Sequence, residues 1–399
     1  MTFELPSDVK IILSKLEEKG YRADIVGGCV RDHILGAVPS DYDITTSARP
    51  EQIKEVFSDM RVLDIGIKHG TITVILNDNP YEITTYRTES EYLDHRHPSR
   101  VDFTDKLSDD LGRRDFTMNA IAYNTKHGIT DIFCGREDIE AKIVRAVGDP
   151  RERFFEDALR ILRAVRFSSV LGFTIEDETA RAAVEMSHLI SSVSGERIAV
   201  EWKKTLAGVG AYNVITENAS VLTSFLAVKE VKLPTRVKFE NLSPQLRELS
   251  LFYLSAPDCA EAFLLSADRM RYDSARRKFG VSVLSLLASA PKFDSESGIL
   301  KLMSRYGPEC VDGAMRLACA VGDADESAID ALENIIIENR PYRISDLKIS
   351  GRELSLLGYS GAALGIELGR LLDAVIVGEL NNDAAELISA AKEHAKLLN

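Results

Sequence analysis

Sulfur is scarce and scattered in this 399-residue chain: five cysteines, at positions 29, 134, 259, 310 and 319, are odd in number and never spaced C-x-x-C. That pattern excludes a disulfide framework and a cysteine-rich zinc site. Cys29 and His33 share one face of a predicted helix, where ordinary packing accounts for both. Long apolar runs are missing too, so no segment is expected to span a bilayer. Met1 to Lys10 carries Glu4 and Asp8 in place of an apolar signal core, which makes the cytoplasm the expected location. Histidine is sparse; only His188 and His394 lie beyond His127, and no His-Asp hydrolase motif surrounds them. Positive charge is in deficit, with 49 Lys and Arg against 62 Asp and Glu and a net charge of −13, so bulk attraction does not draw nucleic acid to the chain. Phosphates feel a local patch first, however, and Arg269, Arg271, Arg276, Arg277 and Lys278 form a basic cluster with only Asp268 and Asp273 as acids among it.

What is present is the make-up of a globular protein, 45% hydrophobic and 28% charged, long enough for two to four domains or subdomains. Residues 8–19 carry Val9, Ile12, Leu13 and Leu16 at helical spacing and stop at Gly20. A β-like run from Ala23 to Val26 ends in Gly27-Gly28, Val30 to Leu35 read as helical turns, and Asp41 to Thr46 as a second strand. Thr71–Leu76 and Tyr81–Arg87 enclose Asn77-Asp78-Asn79-Pro80 and predict an antiparallel hairpin. From Glu152 onward the periodicity is helical, with breaks near Pro234, Pro244 and Pro341. The reading is α+β: a head with a small mixed or antiparallel sheet over 1–140, then all-helical segments over 141–210, 211–340 and 341–399.

Asp41 and Asp43 alternate on the predicted strand, which puts both carboxylates on one face, with Cα atoms roughly 6.5–7 Å apart. Such a pair can bridge two magnesium ions in phosphoryl transfer and dispenses with a histidine base. Gly27-Gly28, between strand and helix, leave backbone N–H groups open to phosphate, and Arg31 on the first turn can clamp one. The spacing fits neither G-x-G-x-x-G nor a P-loop.

GGCVRDHILG followed by DYDITT resembles the signature of polymerase-β-type nucleotidyltransferases, specifically the bacterial tRNA nucleotidyltransferase and poly(A) polymerase family. The resemblance implies Asp41 and Asp43 as catalytic metal ligands, Glu82 as a candidate third ligand, and Gly28 and Arg31 at the triphosphate. Arg113-Arg114-Asp115-Phe116-Thr117-Met118-Asn119 reads as the start of a helix with Asp115 and Asn119 on one face; it resembles the ribose-selecting motif, with Arg114 toward phosphate.

Glu156 to Phe167 reads as an amphipathic helix with Leu159, Leu162 and Val165 on one side and Asp157, Arg160 and Arg163 on the other. An Asp only accepts hydrogen bonds and an Arg only donates them. Cytosine and adenine each offer an amino donor beside a ring-nitrogen acceptor, so this pair matches C and A and opposes U and G. The segment resembles the family's amino-acid template, which implies Asp157 and Arg160 as base readers and Arg163 and Arg166 at the nucleotide.

Residues 87–98, polar and poorly periodic, read as a loop; they resemble the flexible element associated with the switch from C to A, with His97 where a basic residue is expected. Asp131 to Asp138 resembles the hinge between head and neck, Gly135 supplying unusual backbone angles. Ser194 to Glu201 resembles the element that braces the base-reading helix, with Glu196 and Arg197 structural. Leu347 to Asn382 resembles the tail that holds tRNA.

The expectation is therefore a magnesium-dependent enzyme that adds C, C and A to tRNA from CTP and ATP, with no DNA or membrane partner. An A-adding or poly(A)-adding enzyme, a non-catalytic RNA-binding protein on the same fold, and a small-molecule nucleotidyltransferase are the other readings.

Overall fold

A computed structural model describes residues 3–64, 66–92 and 98–397, and the chain divides into two compact units. The first comprises residues 1–225 with Arg269–Arg271, the second Leu226–Asp268 with Tyr272–Asn399. The fold is α+β. Among the described residues no helix is long and apolar enough to cross a membrane. All five cysteines are free.

In the first unit, helix α1 (Ser7–Glu18) buries Val9, Ile12, Leu13 and Leu16, the stripe its spacing predicts, and the chain leaves it through Gly20 at φ +85°. Strand β1 (Ala23–Val26) is buried along its whole length and runs into α2 (Gly28–Ile34). After β2 (Asp43–Thr46) and α3 (Pro50–Val56) come β3 (Arg61–Leu63), β4 (Thr71–Leu76) and β5 (Asn79–Thr85). The β4–β5 hairpin is present as predicted, and Asn77 and Asp78 turn it with φ of +50° and +63°. Strands β6 (Arg87–Tyr92) and β7 (Pro98–Phe103) form a separate antiparallel ribbon. The described part of the segment read as a loop is thus paired backbone; Thr88, with Val101 and Phe103 on the partner strand, supplies β-forming residues that the local charge conceals. Leu93–His97, and with them the reading of His97, lie outside the described residues.

Helix α4 (Leu107–Gly112) leads to β8 (Ile121–Asn124) and β9 (Gly128–Asp131), completing a seven-stranded mixed sheet in the order β3-β4-β5-β2-β1-β8-β9. Val26 and Ala122 of the sheet pack with Tyr86, Leu107, Leu111, Ala120 and Val147 in one buried cluster. Helix α5 (Gly135–Glu140) follows. Gly135 does not take the unusual backbone angle; Cys134 does, at φ +57°. Glycine is required at 135 by close approach, because a Cβ there would stand 2.2 Å from the Thr117 carbonyl oxygen. Gly135→Ala is expected to cost about 1–3 kcal/mol of stability in urea unfolding.

Strand β10 (Ile143–Val144) pairs in parallel with β11 (Thr174–Ile175), a short bridge that the helical reading of this region did not include. Around it lie α6 (Pro150–Glu156), α7 (Leu159–Leu171), α8 (Asp177–Glu185) and α9 (Gly195–Ala207). Helix α7 ends at Gly172 in the left-handed region and packs on α9, where Gly208 allows close contact: a Cβ there would meet Ser169 Oγ at 2.2 Å.

The second unit is helical from Arg236–Glu240 through Ala384–Leu397. Its fully buried Glu248 accepts from Tyr272 Oη and Arg276 Nη2, both at 2.6 Å. The basic cluster read between Arg269 and Lys278 is accordingly not one surface patch. Arg276 neutralises Glu248 and Arg277 pairs with Asp268 at 2.7 Å, while in the first unit Arg269 donates to the carbonyls of Ile190, Ser191 and Val193.

Candidate active site

The site begins with strand pairing. Antiparallel β1 and β2 place Val26 opposite Asp43, so the turn residue Gly27 emerges beside that carboxylate. Gly27 has φ +83°, a conformation L side chains rarely adopt, and a Cβ there would lie 3.1 Å from Arg114 Nη1 and 3.9 Å from Asp43 Oδ2. Strand β2 starts at Asp43, leaving Asp41 just before it on the exposed approach, not on the strand as predicted. Parallel pairing of β2 with β5 sets Ile44 against Ile83, which brings Glu82 to the same step as Asp43. Desolvation pushes the Asp43 carboxyl up; the Arg114 guanidinium pulls the other way, and the negative charges of Asp41 and Glu82 add to the rise. Among the described residues no group of three His, Cys, Asp or Glu is gathered as a ready-made metal shell. Cys29, close to Asp43, is pushed up to about 12 by burial first and that negative charge second, so it is an inert thiol here.

The second wall is the segment after α4. It is not the helix expected over 113–120: Phe116 is extended and only Thr117–Asn119 make a 3₁₀ turn. The Phe116–Ala146 bridge holds this stretch against the following chain, and that tertiary pairing overrides the local helical pattern. Asp115 and Asn119 still meet, Asn119 Nδ2 donating to Asp115 Oδ1 at 3.1 Å. Asn119 Oδ1 in turn accepts from Arg31 Nη1 at 2.8 Å, so the phosphate and ribose candidates form one buried chain. Asp115 continues it to Arg163, at 2.7 Å from Nε and 2.5 Å from Nη2.

Burial alone would raise the Asp115 carboxyl, but Arg163 together with the Asn119 hydrogen bond outweighs it and holds the group at about 2. A carboxyl depressed in the folded state contributes stability above its unfolded pKa and loses it as pH falls through the folded one. Urea unfolding is therefore expected to show a contribution of about 2 kcal/mol that is whole above pH ~4 and gone near pH ~2, and absent in Asp115→Asn.

Sequence reasoning missed Asp110. Fully buried, it pairs with Arg113 at 2.8 Å and Arg114 at 3.3 Å and accepts from Thr45 Oγ1 at 3.1 Å. It ties the arginine pair to the strand that carries Asp43. The i,i+3 and i,i+4 spacing of Asp110 to Arg113 and Arg114 was the available signal.

The base-reading segment is not one continuous helix. Asp157 is extended, at φ −139° and ψ 103°, and separates α6 from α7. Its Oδ1 accepts from Leu159 N at 3.1 Å, competing with helix continuation as a capping residue does, and its Oδ2 accepts from Arg197 Nη2 at 2.8 Å. Arg160 donates to the carbonyls of Arg153 (3.1 Å) and Arg113 (2.9 Å) and to Glu156 Oε2 (2.5 Å). Those contacts use three of the roughly five N–H donors of a guanidinium, and Asp157 keeps about half its lone pairs, so both are fixed in direction yet able to bind further. Buried Glu201 on α9 takes Arg166 at 2.5 Å and Arg163 at 4.0 Å. The structure thus brings Gly28, Arg31, Asp43, Arg114, Asp115, Asn119, Asp157, Arg160, Arg163 and Arg166 into one unit.

Clustered carboxylates, a glycine turn and an arginine-lined wall on a mixed sheet define a nucleotidyltransferase. A family model described as "Poly A polymerase head domain" matches residues 23–145, and another, "Probable RNA and SrmB- binding site of polymerase A", matches 172–217. The chain is 36% identical to a CCA-adding enzyme of Pediococcus pentosaceus over 98% of both chains, and 32% identical to that of Staphylococcus epidermidis over the whole of both. The solved Bacillus stearothermophilus CCA-adding enzyme in complex with CTP is similar over 99% of both chains, with a TM-score of 0.76 and 29% identity. The Thermotoga maritima enzyme complexed with tRNA shares the fold, with a TM-score of 0.68. The chain belongs to the CCA-adding enzyme family, the tRNA nucleotidyltransferases.

Proposed function

We propose that this enzyme adds C, C and A in turn to the 3′ end of tRNA from CTP and ATP, releasing pyrophosphate and using no nucleic-acid template. The observation that carries the proposal is the continuous hydrogen-bonded path from Arg31 through Asn119 and Asp115 to Arg163, joining helix α2 after the glycine turn to the base-reading helix. Residues 1–140 serve as the catalytic head, 141–210 as the neck, 211–340 as the body and 341–399 as the tRNA-holding tail, all in the cytoplasm.

Asp41 and Asp43 would hold magnesium. The donor set fits: both are hard oxygen ligands, the Asp43 carboxylate is destabilised by like charge that a cation would relieve, and magnesium ordinarily takes one or two carboxylates plus substrate phosphates. When bound, the ion lowers the pKa of the attacking 3′ hydroxyl and neutralises charge on the triphosphate and pyrophosphate. Glu82 acts on Asp43 by repulsion and is the candidate for an additional ligand once substrate is present.

Gly28 and Arg31 hold the triphosphate, and Arg114, oriented by Asp110, adds a second cation to it. Asp115 and Asn119 face the ribose hydroxyls, which selects NTP over dNTP. Asp157 accepts from the amino group of C or A while Arg160 donates to the adjacent ring nitrogen; Arg197 and Glu156 keep the pair aimed.

Primer extension on tRNA ending at the discriminator base, at C and at CC, with each NTP alone, tests this reading. CTP is expected to extend the first two and ATP only the third. Repeated ATP addition to every primer would replace the reading with an A-adding enzyme, and no incorporation at all with a non-catalytic RNA-binding protein.

A further inference from the structure

Phe167 lies near the centre of the site without being able to hydrogen-bond. Three guanidinium carbons stand over its ring: Arg166 at 3.7 Å, Arg31 at 5.2 Å and Arg163 at 5.3 Å from the centroid. They come from different parts of the chain, Arg31 from α2 and the others from α7. Each also has an acidic partner of its own, Arg31 with Asp32, Arg163 with Asp115 and Arg166 with Glu201. The ring is 6% exposed and meets Phe116 edge to face, at 5.7 Å and 80°. One aromatic group therefore touches the triphosphate arginine, the ribose segment and two arginines of the base-reading helix.

Three like charges converging on one spot repel, and repulsion grows where water is excluded. An aromatic face carries negative potential and attracts cations, most strongly when they are desolvated. Leucine would fill similar space but offer no such potential.

We infer that Phe167 is a positioning residue for nucleotide binding: its ring face collects Arg31, Arg163 and Arg166 and sets the triphosphate-holding and base-reading sides at a fixed spacing. This rests on the proposed roles of those arginines. It adds that their geometry is set by a shared cation–π platform as well as by their acid partners.

The test replaces Phe167 in the full-length enzyme with progressively fluorinated phenylalanines, which keep the ring's shape while draining its negative face. CTP and ATP affinity, read by equilibrium binding, is expected to fall stepwise with fluorine number, by on the order of tenfold in total. Thermal unfolding without nucleotide monitors folding, and Phe167→Leu is expected to match the most fluorinated ring in nucleotide affinity. Arg31→Ala in the same assay keeps the two ideas apart. If Arg31→Ala weakens CTP binding while the fluorinated series leaves it flat, the platform is overturned and the site reading stands. If Arg31→Ala itself leaves CTP affinity unchanged, the reading of Arg31 fails first.

Discussion

Asp43→Ala is expected to lower incorporation of CTP into tRNA by roughly 10³-fold or more while tRNA affinity stays within about twofold. Asp43 sits at the start of β2, opposite Val26 and beside Gly27, where the proposed reaction brings an attacking hydroxyl and a triphosphate together. No histidine is among the candidate site residues, so there is no obvious base to take over. A loss of this size also has a trivial explanation, misfolding, which thermal unfolding of the variant separates from a loss of chemistry. Burial raises the Asp43 carboxyl and Asp41 and Glu82 raise it further, with only Arg114 opposing, so the ionised group is held at a cost in the folded protein. Removing it is expected to leave the melting temperature in chelator equal to or above that of the parent. Magnesium is then expected to raise the melting temperature of the parent more than that of the variant. Incorporation that survives in a folded Asp43→Ala protein would remove the metal-ligand assignment.

The second large effect concerns base choice. Asp157→Asn combined with Arg160→Gln places a donor where the amino group of C or A was read, and an acceptor where the ring nitrogen was. That arrangement suits the O4 and N3–H of uracil. The CTP-over-UTP ratio in single-nucleotide extension is expected to fall from roughly 10⁴ to within about tenfold, because discrimination through buried charged groups is lost. The double variant loses two ion pairs, Arg160–Glu156 and Arg197–Asp157, but Glu156 keeps Arg153 at 2.5 Å, so that carboxylate is not left alone. Arg197→Met provides an intermediate case, since it removes the 2.8 Å brace on Asp157 but leaves both readers in place. Its expected effect is a smaller loss of selectivity with little change in which nucleotide is preferred. A double variant that still rejects UTP would take Asp157 and Arg160 out of the template role.

Much of the site was legible because short-range chemistry dictates it. Asp41 falls just before the strand on which alternation placed it, but the Gly27-Gly28 turn after an apolar run and the acceptor–donor pair Asp157 and Arg160 are local patterns that read the same in any fold. So are the stripe of α1 and the hairpin around Asn77-Asp78, whose periodicity leaves no competing element. The errors share a cause. Residues 113–120 and 156–167 both carry helical spacing, yet the first is pulled straight by pairing with Ala146 and the second is cut where the Asp157 carboxylate caps a new helix. The 87–98 segment looked like a loop because its charges hid a β-ribbon whose partner strand begins at Pro98.

By itself, then, the sequence determined the family and nominated the groups proposed to carry the chemistry, since donor, acceptor and charge are properties of residue type and spacing. Only the tertiary structure decided how those groups are held. Thr45 against Asp110, Arg197 and Glu201 bracing from α9, Gly135 against Thr117 and Arg31 over the Phe167 ring all join residues far apart in the chain. Contacts of that kind depend on packing distances of a few ångströms, which no linear spacing encodes.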